Sequence, residues 1–403
     1  MVCHLKIHMK ICMIGKYPPI EGGVSTRTYW LARALGEQGV EVHIVTNAQE
    51  VEEEYKEIIQ DGDPEYAPPN VYVHSTNEKS HPWYIPFSKS YAERIASLAI
   101  EVIKKYDLQL IDSYYILPYV ISGFLAKTIT GIPQIMRHAG SDMGRLLSSP
   151  NFSTLFGAIF KKVDKIITYP DDKEEFVKRG ISESRISITD RINVNLKSFN
   201  PEVIPFDLST YLEKKIENIP VISFIGKIPY LWESKGIGEL LEAIEGIKED
   251  FLLLFFSGGK GLPKVRQIVR DKGLERQVVF LKFVPPWKVP SIMKRSTCVV
   301  VPEHDFLIAN HTPSIPAEVL AVGKCLILSN ELYEKKPYQE LVNGENVLII
   351  DPKNIIQFRS IIKRIIKCPD EAEKIGQEAR KLSERIENFN EYVSHTIKLY
   401  GQI

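Results

Sequence analysis

Lys227 and Lys235 follow closely on the apolar run Val221–Gly226, the first predicted strand of a second α/β series. Two ammonium groups converging behind a strand could hold a diphosphate and neutralise the charge that develops on a departing nucleotide. The plainer alternative is two solvated surface lysines. A second stretch runs from Asn310-His311-Thr312-Pro313-Ser314-Ile315-Pro316-Ala317 to Glu318 and on into Val319–Lys324. Backbone N–H groups at Thr312 and Ser314 could grip phosphate or sugar there. Glu318, read as the residue that opens a helix, could accept hydrogen bonds from a ribose, although the helix dipole alone also favours an acidic residue at that place. The pair Gly22-Gly23 stands where a predicted helix begins, so the backbone could approach a ligand and offer N–H groups to an anion. A plain tight turn would use the same residues, and the Gly-x-Gly-x-x-Gly spacing of a dinucleotide fingerprint is absent. Arg137-His138-Ala139-Gly140-Ser141-Asp142 follows another predicted strand. His138 and Asp142 could face a ligand from its carboxyl end, or serve the structure.

These residues need a scaffold, and the pattern of short apolar runs alternating with helical periods supplies one: parallel α/β architecture. Predicted strands of a first series are Ile11–Gly15, Glu41–Thr46, Val71–His74, Leu108–Asp112, Gln134–Arg137 and Lys165–Thr168. Between the first two, Val24–Gln38 reads as a helix with Val24, Thr28, Leu31, Ala34 and Leu35 on one face, ended by Gly39. Phe199–Pro220, with Pro201, Pro205 and Pro220 around a charged stretch, reads as a linker. The second series is Val221–Gly226, Phe251–Ser257, Val278–Leu281, Cys298–Pro302, Cys325–Ser329 and Val347–Ile350, with helical patterns at Ile237–Ile247 and Pro263–Lys272. The expected organisation is therefore two Rossmann-like domains, residues 9–204 and 205–384, facing each other across a cleft. Ligands prefer the carboxyl ends of such strands.

Composition excludes several other classes. Length suits two domains of ordinary size. The 51 Lys and Arg balance 51 Asp and Glu, so the basic surplus usual in nucleic-acid binders is missing. Cys3, Cys12, Cys298, Cys325 and Cys368 are scattered and never spaced as Cys-x-x-Cys, which argues against a disulfide framework or a zinc site and for a reducing compartment. Cys12, Cys298 and Cys325 lie in apolar runs and read as buried packing. Asp61-Gly62-Asp63 matches a short metal-binding pattern of sugar-transferring enzymes of another fold, but it sits in the acidic stretch Glu50–Glu65 and reads as a solvated loop. Trp83–Phe87 reads as core packing or an acceptor contact. The longest apolar run, Tyr114–Ala126, is broken by Pro118 and Gly123 and is too short to span a bilayer. No signal peptide is visible. Met1–His8 fit no element, so Met9-Lys10-Ile11 reads as the start of the fold and Met1 as a mis-assigned start.

Together these pieces resemble glycosyltransferase family 4, retaining enzymes of the GT-B fold. The resemblance runs from Met9 onward. It rests on Lys10-Ile11 with Pro18-Pro19 and Gly22-Gly23-Val24, on Arg137–Asp142, on Phe224-Ile225-Gly226-Lys227 with Lys235-Gly236, on Phe283-Val284-Pro285-Pro286, and on Pro313 with Glu318. The end of the chain, Phe389–Tyr400, is similar to the family's last helix, which implies that about residues 385–403 pack back onto the first domain. The resemblance implies that Lys227, where Arg is usual, and Lys235 bind the diphosphate. It implies that Glu318, the second glutamate of a Glu-x7-Glu stretch, binds the ribose. The first glutamate falls on Asn310, near the transferred sugar, and is a departure. His138 resembles the family's cleft histidine, with Ala139 intervening before Gly140. Ile192-Asn193-Val194-Asn195 partly keeps the segment that precedes the linker.

The resemblance implies hexose transfer from a nucleoside diphosphate sugar with retention at the anomeric carbon. The expected catalytic residues are His138, Asn310 and Lys235. The expected donor-binding residues are Gly22, Gly23, Lys227, Lys235, Thr312, Pro313, Ser314 and Glu318. No metal or cofactor is expected, because lysines stand at the phosphate site. The expected partners are a nucleotide-sugar donor and a carbohydrate or lipid-linked acceptor, with no nucleic acid, in the cytoplasm; contact with the inner membrane surface stays open. Two rival readings remain. One is a non-catalytic nucleotide-sugar-binding subunit, which Asn310 favours. The other is a GT-B sugar-nucleotide epimerase.

Overall fold

The computed structural model describes residues 9–77, 91–209, 211, 219–306, 311–386 and 388–403. The chain divides into two compact units. The first holds the chain up to Glu52, Ile59–Arg191 and Asn390–Ile403; the second holds Glu53–Ile58 and Ile192–Phe389. The division at Arg191 falls earlier than the expected junction at 204/205. Part of the expected linker packs on the second unit: Phe199 is buried and its carbonyl accepts from Arg380 Nη1 at 3.0 Å. Leu208 lies in an apolar cluster with Val221 and Phe256.

The first unit is built on seven strands: β1 Lys10–Ile14, β2 Glu41–Thr46, β3 Val71–Ser75, β4 Leu110–Tyr114, β5 Gln134–Arg137, β6 Lys165–Thr168 and β7 Ile186–Ile188. Their order is β3-β2-β1-β4-β5-β6-β7 and every pairing is parallel, with Ile11 opposite both Val42 and Leu110. A parallel sheet is covered on both faces, which is why strands such as Lys10–Ile14 read as continuous apolar runs. One covering helix, Tyr91–Tyr106, turns Ile95, Ala99 and Val102 onto Cys12, Ile14 and Ile111. Their spacing is that of one helical face. The expected strand at Leu108 starts later, at Leu110, after a turn in which Asp107 takes φ +54°. β7 has three residues, too few to carry a periodic signal.

The second unit has six strands: β8 Val221–Ile225, β9 Leu252–Phe256, β10 Val278–Leu281, β11 Cys298–Val301, β12 Cys325–Ser329 and β13 Leu348–Ile350. Their order is β10-β9-β8-β11-β12-β13, again all parallel. Ile237–Ile244 is one covering helix, burying Leu240, Leu241 and Ile244 against Ile222 and Phe224. Cys12, Cys298 and Cys325 are buried and unpaired, as their apolar runs suggested. In both sheets the strand order reverses beside the first strand of the unit, at β1/β4 and at β8/β11. Such switch points open a crevice at the carboxyl ends of the strands.

The last helix, Phe389–Tyr400, joins the first unit from Asn390 onward. Its Tyr400 hydroxyl donates to Asp112 Oδ2 at 2.5 Å, and its Tyr392 hydroxyl accepts from Arg137 Nη1 at 2.9 Å.

Candidate functional site

The switch point of the second sheet lies between β8 and β11, and the residues that come after those two strands meet. After β8 the chain passes Gly226 and the exposed Lys227 and returns through a short turn, Glu233–Lys235. Gly236 then takes φ +66°, and a Cβ there would stand 2.0 Å from the carbonyl oxygen of Pro302. Only glycine lets the β8 loop lie this close to the residue that ends the β11 run. The contact is pinned on both sides: His304 N–H donates to Ser234 O at 3.0 Å, and Ser329 Oγ donates to Glu303 O at 2.6 Å.

Glu303 is thereby placed between two bases. One carboxylate oxygen accepts from Lys235 Nζ, the other from His311 Nε2 at 2.7 Å. Side-chain exposure is 12% for Lys235, 8% for Glu303 and 24% for His311. Phe306 roofs the group, with Lys235 Nζ 5.0 Å from its ring centre and the His311 ring stacked on it at 3.8 Å and 9°. Burial would raise the Glu303 carboxyl, but the Lys235 and His311 charges and hydrogen bonds override it and hold it at about 2. The carboxylate therefore stays ionised at neutral pH and only accepts. The loop bearing His311 is held by Lys335 Nζ, which donates to His311 O at 2.7 Å, and by the Tyr338 hydroxyl, which donates to Pro313 O.

That loop leads into the helix Ile315–Val322, whose N-cap, Ser314, makes no side-chain capping bond. The first-turn N–H groups of a helix attract anions. Glu318 does not open this helix, as the sequence suggested. Ile315 does, because Pro316 is well suited to the first turn, and Glu318 comes at the fourth position, buried. Pro313, Thr312 and Ser314 are half-buried in the loop. Asn310 lies outside the described residues, as does Trp83–Phe87.

Neither Glu303 nor His311 is given a chemical role by the sequence alone. A signal for Glu303 existed: it follows the wholly apolar β11 after one proline, at the strand end where the order reverses. Nothing local marked its pairing with Lys235, which comes from the loop after a different strand.

In the first unit, Gly22 takes φ +129° at the N-cap of the helix Gly23–Glu37, whose first turn has no acidic residue and no side-chain cap. A Cβ on Gly23 would meet nothing within 4 Å. The stretch Arg137–Asp142 differs from the expectation. Arg137 turns into a buried pair with Asp112, Nη2 to Oδ2 2.9 Å. His138 is 1% exposed. Gly140 N–H donates to its Nδ1 at 3.1 Å, so Nε2 carries the proton and donates to Thr168 Oγ1 at 2.7 Å. Burial, with Arg191 nearby, lowers its basicity to about 3. Both ring nitrogens are thus engaged by the protein, leaving none for a sugar. Asp142 is likewise enclosed, accepting from the N–H groups of Ile116, Ala139 and Met143.

Asp63 caps the turn Pro64–Tyr66 by accepting from Glu65 N at 3.0 Å. Among the described residues no group of three or more His, Cys, Asp or Glu is placed to hold a metal. No helix among them is long and apolar enough to cross a membrane.

Comparison with known proteins agrees with this division of the chain. Residues 21–190 match the family described as Glycosyltransferase Family 4, and residues 213–382 match Glycosyl transferases group 1. The N-acetyl-alpha-D-glucosaminyl L-malate synthase of Bacillus anthracis is 24% identical over 280 residues, 66% of this chain and 66% of that protein. Among solved structures, sucrose-phosphate synthase from Thermosynechococcus elongatus is similar with a TM-score of 0.66 at 18% identity, over 98% of this chain and 99% of its own. Anabaena Alr3699/HepE, in complex with UDP and glucose, gives 0.64 at 14% identity, over 97% and 100%.

Proposed function

The chain belongs to glycosyltransferase family 4 and has the GT-B fold, and from that premise we propose that it moves a hexose from a nucleoside diphosphate sugar to a carbohydrate or lipid-linked acceptor with retention at the anomeric carbon. One observation carries the donor assignment: the charge group Lys235–Glu303–His311 at the β8/β11 switch point, with Glu303 buried and both bases half-buried, beside the N-terminus of Ile315–Val322. Burying charges is expensive, and such a pair is weak support for stability. Its place at strand ends, where ligands bind, supports a functional reason for keeping it. The HepE structure with UDP and glucose is in keeping with a donor of this class.

Lys235 carries the diphosphate charge in this reading, with Lys227 and the N–H groups of Thr312 and Ser314 completing the cradle around Pro313. Glu318 takes the ribose. Gly22 and Gly23 offer first-turn N–H groups to the donor. Asn310 contacts the transferred sugar with neutral hydrogen bonds. His138, enclosed in its own unit, acts as a positioning residue that fixes the loop 138–142. Rate acceleration comes from stabilising the leaving phosphate and from positioning the acceptor on the face from which the phosphate departs.

A mass-spectrometric screen of UDP-, GDP- and ADP-sugars against the full chain tests this. Slow release of free sugar from one donor, unaffected by a chelator, is the expected result. Loss of activity with chelator and its return with manganese would overturn the metal-free phosphate site. A donor that binds but is never transferred, even to water, would favour the non-catalytic reading that Asn310 suggests.

A further inference from the structure

We propose that His311 is a donor-contacting residue of this site, presenting Nδ1 to a phosphate oxygen beside Lys235, and that Glu303 is the positioning residue that aims both bases. This role deepens the donor reading of the site and rests on it. Glu303 is ionised and can only accept, so His311 Nε2 carries a proton and donates it to the carboxylate at 2.7 Å. The ring is fixed in its plane by stacking on Phe306, and its backbone is fixed by Lys335. No described residue hydrogen-bonds to Nδ1, and the ring is the most exposed member of the group. The histidine is therefore oriented through Nε2, while Nδ1 has no hydrogen bond to any described residue, the arrangement a ligand-binding imidazole needs. His138 is the contrast: both of its nitrogens are used inside the protein.

The proton count makes the proposal specific. With Nε2–H committed to Glu303, a hydrogen bond from Nδ1 to a phosphate needs a second ring proton. Where the free ring holds only its Nε2 proton, donor binding should then take up the second proton from solvent. The charged groups around the ring are Glu303 and Lys235 from the strand ends and Lys335, with Glu331 beside Lys335. Lys335 meets the His311 carbonyl, and Glu303 meets the ring, so the imidazolium would face one carboxylate and the incoming diphosphate. Nucleotide sugars lack the terminal phosphate that titrates near neutrality, so uptake would come from the protein.

Isothermal titration of the full chain with UDP-glucose, GDP-mannose and ADP-glucose at pH 8, in two buffers of different ionisation enthalpy, reads this directly. The expected result is uptake of up to about one proton per donor bound, abolished in His311→Asn and reduced in Glu303→Gln. His311→Asn should also lower turnover about tenfold or more, while its melting temperature stays that of the parent. Imidazole ¹⁵N spectra give a second readout. The signals missing in His311→Asn should move when donor is added to the parent, and Glu303→Gln should change their pattern without donor. If a donor binds with no proton uptake, and His311→Asn binds and turns over within about twofold of the parent, the inference fails while the donor reading stands. If none of the three donors binds, the donor reading fails and this inference with it.

Discussion

Each unit of the molecule buries a group of charges at its strand ends, and the two groups are finished differently. In the first unit, Arg137 pairs with Asp112, and both are bonded further by Tyr392, Thr396 and Tyr400 of the last helix. Arg27 adds a bond to the Tyr169 hydroxyl at 3.1 Å, and that hydroxyl donates to His138 O at 3.0 Å. In the second unit, Lys235, Glu303 and His311 form a shorter group that ends, among the described residues, at an imidazole Nδ1 with no hydrogen bond. A buried charge group closed on all sides by protein partners holds structure together. One that ends in such a nitrogen beside a helix N-terminus is the group proposed to hold the donor.

The contrast can be broken most forcefully in the first unit. Asp112→Ala leaves Arg137 buried without its counter-charge and frees Tyr400. The expected destabilisation is about 3–5 kcal/mol, the usual cost of removing one partner of a buried pair. Urea unfolding followed by hydrogen exchange should show residues 390–403 exchanging early, while donor affinity below the transition is kept. Loss of donor affinity with intact stability would mean that the roles of the two groups are reversed.

Lys235→Ala should show the opposite pattern. It removes the charge proposed to hold the diphosphate and should cost about 2–4 kcal/mol in donor binding or turnover, as losing a charge-stabilising donor does. Its melting temperature should change far less than that of Asp112→Ala. Unchanged affinity and turnover would return Lys235 to an ordinary ion pair.

Acid should separate the units next. His74 is lowered to about 4, by burial first and then by His43 and Lys105, and His138 to about 3. Both lie in the first unit and are neutral when folded. A group whose folded basicity is depressed gives stability that is fully present above its unfolded value, near 6.5, and is lost as pH falls toward the folded value. For the fully enclosed His138 that is about 1.4 kcal/mol per pH unit between about 6.5 and 3. Glu303 of the second unit begins to lose its contribution only below about 4.5 and continues to about 2. Hydrogen exchange at stepwise lower pH should therefore open the first unit before the second. The reverse order would contradict the enclosed setting of His138.

The smallest expected effect sharpens the second group. Glu318→Gln keeps shape and loses charge, so ribose hydrogen bonds should weaken by about 1 kcal/mol, the margin between charge-assisted and neutral bonds. Titration with the bound donor would show it. An unchanged affinity would place the ribose elsewhere.

The fold was largely legible in the sequence because parallel strands covered on both faces leave unbroken apolar runs. Glu41–Thr46, Gln134–Arg137, Lys165–Thr168, Val278–Leu281 and Cys325–Ser329 appear as read. The candidate site was legible only where chemistry is local. Lys235 and Glu318 stand out by type and by place, after a strand and in the first turn of a helix, and their roles remain the proposal made from that placement. The partnership of Lys235 with Glu303 and His311 does not, because the strand order that brings the loops after β8 and β11 together is a property of the sheet. The same reason explains Arg137 and His138. The position of His138 after β5 suggested a ligand, yet the partners of Arg137 and His138, namely Asp112, Thr168 and Tyr392, come from β4, β6 and the last helix. A residue's type shows what it can do, and the neighbours that occupy it decide what it does.

Holding of the donor's diphosphate in the second unit, at the β8/β11 switch point, is tested most directly by hydrogen-exchange mass spectrometry of the full chain. The comparison is made with and without the nucleoside diphosphate that binds best. Protection is expected at residues 226–238 and 311–320, with the Arg137–Asp142 stretch little changed. Bound nucleotide that protects residues 137–142 and leaves 226–238 and 311–320 as they were would contradict that placement.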